Sequence, residues 1–264
     1  MSFFVADRVS AGYGKTKIVK SVSFELEQGG LMGILGANGS GKTTLLKAIC
    51  GILPHTGNCM LEQNVLESLP AKQIAKICSY IPQRSGIGID ISVLDVVLMG
   101  FNPQLGILAY PTEQMRQKAR EALVQVGLEG KEEVNYMHLS EGQKQLCILA
   151  RTMVSGSRLL LLDEPESALD FRYRYRMLDL IRSWIAEVKG SAVVTLHDPM
   201  LALNYCDKIM LLANGEILDI LSPGKDSLKK MEQRLCEIYG SVTLQICKNR
   251  SGKEILTMLK EDDK

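Results

Sequence analysis

Aromatic residues make up only 5% of this 264-residue chain, and it holds a single tryptophan. Proteins that grip single-stranded nucleic acid stack bases on aromatic faces, so this scarcity argues against that class. Charge of one sign is also lacking. Thirty-one Lys and Arg against 30 Asp and Glu leave a formal net charge of +1, which gives no footprint for nucleic acid or for an anionic membrane surface. No apolar stretch approaches the ~20 residues that span a bilayer. The longest runs, around Leu159–Leu162 and Ile209–Ala213, are strand-length. The opening Met1-Ser2-Phe3-Phe4-Val5-Ala6-Asp7 has no basic region and no long apolar core, so no signal peptide is expected.

Paired cysteine motifs are absent as well. The seven cysteines stand at 50, 59, 78, 147, 206, 236 and 247, an odd number without a C-x-x-C pair. That pattern reads as free, mostly buried thiols in a reducing compartment. The histidines His55, His138 and His197 do not lie near cysteine clusters, so no zinc site is expected. A 46% hydrophobic content is enough for one large α/β domain or two small ones.

Hydrophobic periodicity places the elements. Phe3–Val9 and Val19–Leu26 read as strands joined by a turn at Ala11-Gly12-Tyr13-Gly14, with Asn58–Val65 and Ile77–Ile81 as further short strands and a helical turn at Pro70–Lys76. Ser92–Phe101, Thr112–Val126 and a segment starting at Ser140 read as helices. Thr112 is suited to cap the second and Gly127 to close it. Strand character returns at Arg158–Asp163, Ser191–His197 and Lys208–Ala213, with a helix over Phe171–Val188. Asn214-Gly215 signals a hairpin. Strand–helix–strand alternation implies a mostly parallel sheet. The expected fold is α/β, with an antiparallel N-terminal β subdomain, an inserted helical subdomain at about 86–155, a main domain over 1–225 and an extension over 226–264. In that extension Ser241–Cys247 and Glu254–Leu259 could form a small hairpin, and residues 261–264 read as a loose tail.

What is plentiful is glycine at one place. Gly36-Ala37-Asn38-Gly39-Ser40-Gly41-Lys42-Thr43 fits G-x-x-x-x-G-K-[ST] at every fixed position, after the apolar run Leu31–Leu35 and before the helical Thr44–Cys50. Strand, loop and helix in that order make a phosphate cradle. Glycines let N–H groups turn inward, and the helix N-terminus adds positive potential. Lys42 would reach β/γ-phosphates and the Thr43 hydroxyl would ligate Mg²⁺. Leu159–Leu162 ends in Asp163-Glu164. Carboxylates at the C-terminal end of a buried strand sit where parallel sheets bind ligands. Asp163 would bind Mg²⁺ and Glu164 would act on the water attacking the γ-phosphate. Leu139-Ser140-Glu141-Gly142-Gln143 is equally a capping box and an anion site.

With these three motifs in order, the chain resembles the ATP-binding-cassette ATPases, whose signature L-S-G-G-Q lies between the P-loop and the acidic strand. The resemblance covers roughly residues 3–225. It implies ATP and Mg²⁺ as cofactors and a head-to-tail homodimer in which Ser140, Gly142 and Gln143 of one copy meet the ATP held by the other's loop residues, Gly36 through Thr44. It also implies that Tyr13 stacks on adenine, that Gln83 touches Mg²⁺ and the attacking water, that Asp170 in Ser167–Asp170 runs along the dimer seam, and that His197 contacts the γ-phosphate. Catalysis would fall to Lys42, Gln83, Glu164 and His197, and metal binding to Thr43, Gln83 and Asp163. Two positions depart from the pattern: Glu141 replaces a signature glycine, and Glu166 replaces the usual threonine. Glu141 is expected to oppose dimer closure unless it points away.

One cassette without a membrane segment fits an importer subunit at the cytoplasmic membrane face. It would pair with permease subunits and work indirectly with a substrate-binding protein, without nucleic acid. Ser79–Gln83 followed by Ile91–Pro103 resembles the iron-chelate group, which moves siderophores, haem or cobalamin. A zinc or manganese importer and a soluble non-transport cassette are the alternatives. A P-loop kinase is disfavoured by the signature and by Glu164.

Overall fold

Inward-facing Phe4, Ala6, Val9 and Ala11 build the first strand, β1 (Phe4–Tyr13), which pairs antiparallel with β2 (Thr16–Leu26). The computed structural model describes residues 2–84, 86–106, 108–167 and 169–261. The turn expected at Ala11–Gly14 is tighter than the sequence suggests. Strand pairing continues through Gly12 and Tyr13, so Gly14 and Lys15 alone carry the chain around. A Cβ on Gly12 would stand 1.9 Å from Thr16 O, so that pairing is open only to glycine. The expected strand Asn58–Val65 is instead a hairpin of β4 (His55–Leu61) and β5 (Asn64–Val65), completing a four-stranded sheet in the order β2-β1-β4-β5.

The central sheet is built from apolar runs. β3 (Leu31–Leu35), β7 (Leu159–Asp163) and β8 (Ser191–Thr195) are buried at every position. With β6 (Cys78–Ile81), β9 (Lys208–Ala213) and β10 (Glu216–Leu221) they form a six-stranded sheet, β10-β9-β3-β8-β7-β6. Five strands run parallel and β10 returns antiparallel through the Asn214-Gly215 turn. Continuous burial explains why β3, β7 and β8 lack the alternation of a one-sided strand.

Helix α1 (Lys42–Ile49) starts directly from the glycine-rich loop, and α2 (Ala71–Ile77) leads into β6. Between β6 and β7 lie α3 (Val93–Leu98), α4 (Glu113–Val126) and α5 (Glu141–Met153). Thr112 Oγ1 caps α4 and Gly127 ends it in a left-handed conformation, as the sequence signals. α6 (Phe171–Val188) buries Met177, Ile181, Trp184 and Ile185. Two helices were not foreseen. α7 (Pro199–Tyr205) follows the Asp198 cap with Pro199 at its first turn, and α8 (Leu228–Tyr239) buries Met231 and Leu235 behind the Ser227 cap. The C-terminal hairpin is present as β11 (Val242–Lys248) and β12 (Glu254–Lys260). The expected tail at 261–264 lies outside the described residues from 262 onward.

The consequence for function is positional. The loops after β3, β6, β7 and β8 all leave the C-terminal edge of neighbouring parallel strands, where ligands bind such sheets. The centre of that sheet should dominate stability. Leu161→Ala empties a fully buried position in β7 and should cost about 2–5 kcal/mol. Urea denaturation followed through the fluorescence of Trp184, the sole tryptophan, measures it.

Candidate functional site

The glycine-rich loop closes tightly on its own backbone. A Cβ at Gly36 would lie 2.2 Å from Leu212 O and 2.7 Å from Ser40 Oγ, so only glycine fits there. Lys42 is 5% exposed. Its ammonium donates to Gly36 O at 2.8 Å and Ala37 O at 3.4 Å. The Ser40 hydroxyl is buried without a hydrogen-bond partner, a costly arrangement unless a ligand engages it. Asn38, Gly39, Ser40, Gly41, Thr43 and Thr44 line a cleft over this loop, with Ile18 and Glu164 across from them.

Asp163 ends β7 and is 3% exposed. Three hydroxyls converge on it: Thr43 and Thr195 each donate to Oδ1 at 3.0 Å, and Tyr80 donates to Oδ2 at 3.1 Å. Burial and the Asp163 charge push the Tyr80 phenol up, which keeps it a donor. The sequence reading passed over Tyr80 and Thr195. Their only signal was position, one residue short of the end of β6 and the last residue of β8.

Glu164 follows in a left-handed conformation, φ 48°, which costs a non-glycine residue on the order of 1–3 kcal/mol. The strained turn lifts its carboxylate into the mouth of the cleft. There Gln83 Nε2 donates to Oε2 at 2.8 Å, His197 Nε2 stands 2.7 Å from the same oxygen, and Lys42 Nζ lies 3.7 Å from Oε1. The fold thus gathers Lys42, Thr43, Gln83, Asp163, Glu164 and His197 from the ends of four strands into one cluster. Gln145 of α5 is buried and donates to Gln83 O at 2.7 Å, tying the helical block to it.

Other expected residues stand apart from the cluster. Ser140 and Gln143 bond each other, Ser140 N–H to Gln143 Oε1 at 3.1 Å and Gln143 N–H to Ser140 Oγ at 3.3 Å, a complete capping box. Gly142 packs against Leu169. Asp170 caps α6 through Tyr173 N–H at 3.0 Å; Ala168 of the same loop lies outside the described residues. Tyr13 is half exposed on a groove shared with Leu53, Pro54 and His55. Glu141 is not a bare charge, because Lys144 pairs with it at 2.8 Å and the α5 N-terminus favours it. Glu166 is 2% exposed; its Oε1 accepts from His197 N–H at 2.8 Å and its Oε2 has no partner.

The ABC transporter family profile matches residues 19–167. The uncharacterized ABC transporter ATP-binding protein YvrA of Bacillus subtilis (strain 168) is 32% identical over 98% of this chain, which spans 58% of that protein's length. The hemin import ATP-binding protein HmuV of Ruegeria sp. (strain TM1040) is 34% identical over 94% of this chain and 92% of its own. Among solved structures, an inward-facing ABC transporter of metal-chelate type superimposes with a TM-score of 0.83 at 24% identity, covering 99% of both chains. The chain belongs to the ABC transporter family. It is an ATP-binding cassette, the ATPase component of that family.

Desolvation pushes the Glu166 carboxyl above the usual carboxylate range, against the opposing pull of the His197 N–H. Between the usual and the raised value the folded state keeps a proton that the unfolded chain has released. Stability therefore falls as pH rises through that window and stays lower above it. Glu166→Gln should remove this component, which thermal denaturation of both proteins across the acidic range would resolve. Parallel pH profiles would show that Glu166 stays ionised when folded.

Proposed function

We propose that this chain binds and hydrolyses ATP with Mg²⁺ to drive an importer of iron chelates, as a peripheral subunit on the cytoplasmic face of a membrane. The observation that carries the reading is the single cluster in which Lys42, Gln83 and His197 surround the Glu164 carboxylate at the mouth of the glycine-rich loop. In this reading Lys42 exchanges its loop carbonyls for β/γ-phosphates. Backbone N–H groups between Gly36 and Thr44, and the unpartnered Ser40 hydroxyl, take up phosphate oxygens, and Tyr13 stacks on adenine. Glu164 receives the proton of the attacking water, while Gln83 orients that water and His197 meets the γ-phosphate. The Thr43 hydroxyl and the Asp163 carboxylate, in contact at 3.0 Å, are the hard oxygen donors that magnesium prefers, with Gln83 as a third. When bound, the ion would neutralise phosphate charge.

Within one chain Ser140 and Gln143 satisfy each other rather than the loop. Ser140, Gly142 and Gln143 are therefore assigned to the ATP of a second copy, in a head-to-tail homodimer with Asp170 along its seam. The permease is assigned to the surface between Gln83 and the helical block, where the chain beyond Gln83 exposes Ile89. Gln145 supports this, because a change at Gln83 pulls directly on α5. The cargo class rests on relatives such as HmuV, whose name gives hemin import. Siderophores and cobalamin are the neighbouring candidates.

Lys42→Ala should abolish most ATP binding in equilibrium titration. Glu164→Gln keeps the shape and removes the base, so steady-state phosphate release should drop by about 10²–10⁴-fold while ATP still binds. Unchanged turnover would remove Glu164 from that role. His197→Ala should slow turnover as well. Deleting the gene should abolish high-affinity uptake of one iron chelate or corrinoid. Normal uptake of haem, siderophores and cobalamin in the deletion strain would leave a cassette ATPase with another cargo.

A further inference from the structure

A second group of metal-ligating side chains lies in the N-terminal β layer, apart from the phosphate loop. His55 and Cys59 are four residues apart on β4. On a straight strand their backbones would be about 13 Å apart. They converge where β1 bulges against β4, with Arg8 and Val9 opposite Gly57 alone. The pairing of β1 with β4 slips between Asp7 and Ser10, and Gly57 there takes φ 93° with the Arg8 carbonyl 2.4 Å from where a Cβ would stand. Bulges re-aim side chains in this way. His55 Nε2 consequently stands 3.8 Å from Cys59 Sγ. The short helix after β5 (Leu66–Ser68) adds Glu67, whose Oε1 is 2.8 Å from the same His55 nitrogen. One ligand atom from each residue lies within 4.8 Å of the others.

We propose that His55, Cys59 and Glu67 form a binding site for a divalent transition metal of the zinc type, distinct from the magnesium position at Thr43 and Asp163. Tetrahedral zinc with bonds of about 2.0–2.3 Å sets neighbouring ligand atoms about 3.3–3.6 Å apart. The histidine–cysteine spacing is already close to this, and the histidine–glutamate pair has to open by about half an ångström. Glu67 has room for that, since its side chain is 29% exposed while that of His55 is 8% exposed. Thiolate and imidazole select zinc-type ions over magnesium or calcium. The other His55 nitrogen, Nδ1, faces Leu53 O at 3.5 Å, and Cys59 N–H donates to Glu67 Oε1 at 2.7 Å. Such backbone contacts orient metal ligands. On binding, the S–H proton of Cys59 leaves to water and a sulfur–metal bond replaces it. The two negative ligands then balance the charge of the ion. Glu67 marks the open side, where water completes the coordination. A bound ion would link β4 to the segment after β5 and stiffen the sheet that carries Tyr13.

The test uses the untagged full chain, stripped with chelator and titrated with Co²⁺. One Co²⁺ per chain should produce a thiolate-to-cobalt charge-transfer band together with the visible bands of tetrahedral cobalt, and Zn²⁺ should displace it. Zn²⁺ should also raise the thermal midpoint of the metal-free chain. Cys59→Ser and His55→Gln should each lose the band and weaken Zn²⁺ binding at least tenfold, whereas Cys247→Ser, which removes an exposed thiol, should keep both. His55→Gln keeps a polar side chain of similar reach, so it decides the matter if Cys59→Ser folds poorly. Absence of a thiolate–cobalt band in the parent, or its survival in His55→Gln, would reduce the trio to a hydrogen-bonded brace. ATP hydrolysis by the parent is unaffected by either result, so failure here is separable from failure of the ATPase reading.

Discussion

A carboxylate at the end of an all-apolar strand is expensive to bury, and Asp163 is tolerable only because three hydroxyls are held to it. Thr43 comes from the first turn of α1, Tyr80 from β6 and Thr195 from β8. One side chain therefore ties the phosphate loop to the strands on either side of β7. Unpaired, such a group would cost several kcal/mol or give up its charge. The requirement locks the relative heights of β6, β7 and β8 at their C-terminal ends. Parallel register then delivers the next residues of each loop to the same place, with Asp163 opposite Thr195.

Glu164 depends on that lock. Its N–H donates to Thr195 Oγ1 at 2.8 Å, which stabilises the left-handed turn that aims its side chain. Around it stand Lys42, Gln83 and His197, each from a different strand end. Strain at one residue is offset by three polar contacts, the usual economy of a functional site. Glu166 extends the chain of supports. It sits two residues after Glu164 and holds the His197 backbone from below. The loops after β7 and β8 are therefore tied to each other by a direct hydrogen bond.

The helical block meets this site through a hydrogen bond from Gln145 to the Gln83 carbonyl. Its apolar core is continuous with one face of the central sheet, since Val93, Val97, Leu123, Tyr136 and Leu146 share a buried cluster with Leu160 and Leu162. The Gln145 bond therefore places α5 in direct polar contact with the segment that carries Gln83 to the cleft. Glu141, a departure from the family signature, is neutralised locally by Lys144. The charge presented at that helix end is smaller than the residue type alone implies.

Much of the site was legible because its chemistry is local. The glycine spacing before Lys42, four leucines before Asp163-Glu164 and the Ser140–Gln143 capping pair each declare themselves within a few residues, as did β9 and α6, whose patterns match their burial. Short elements were harder. Seven-residue α7 is too brief to show a period. In α8 the pair Met231 and Leu235 was too sparse a stripe to stand out. Tertiary structure alone decided which distant residues meet. The three hydroxyls on Asp163, the burial of Glu166 behind His197, and the meeting of His55, Cys59 and Glu67 across a bulge have no sequence period, because each is a product of strand register. Sequence by itself determined the phosphate loop, the acidic strand end and the family, since backbone conformation and burial there follow from neighbouring residue types. The fold decided how the charges are paired, because pairing depends on which strand ends are neighbours in the sheet.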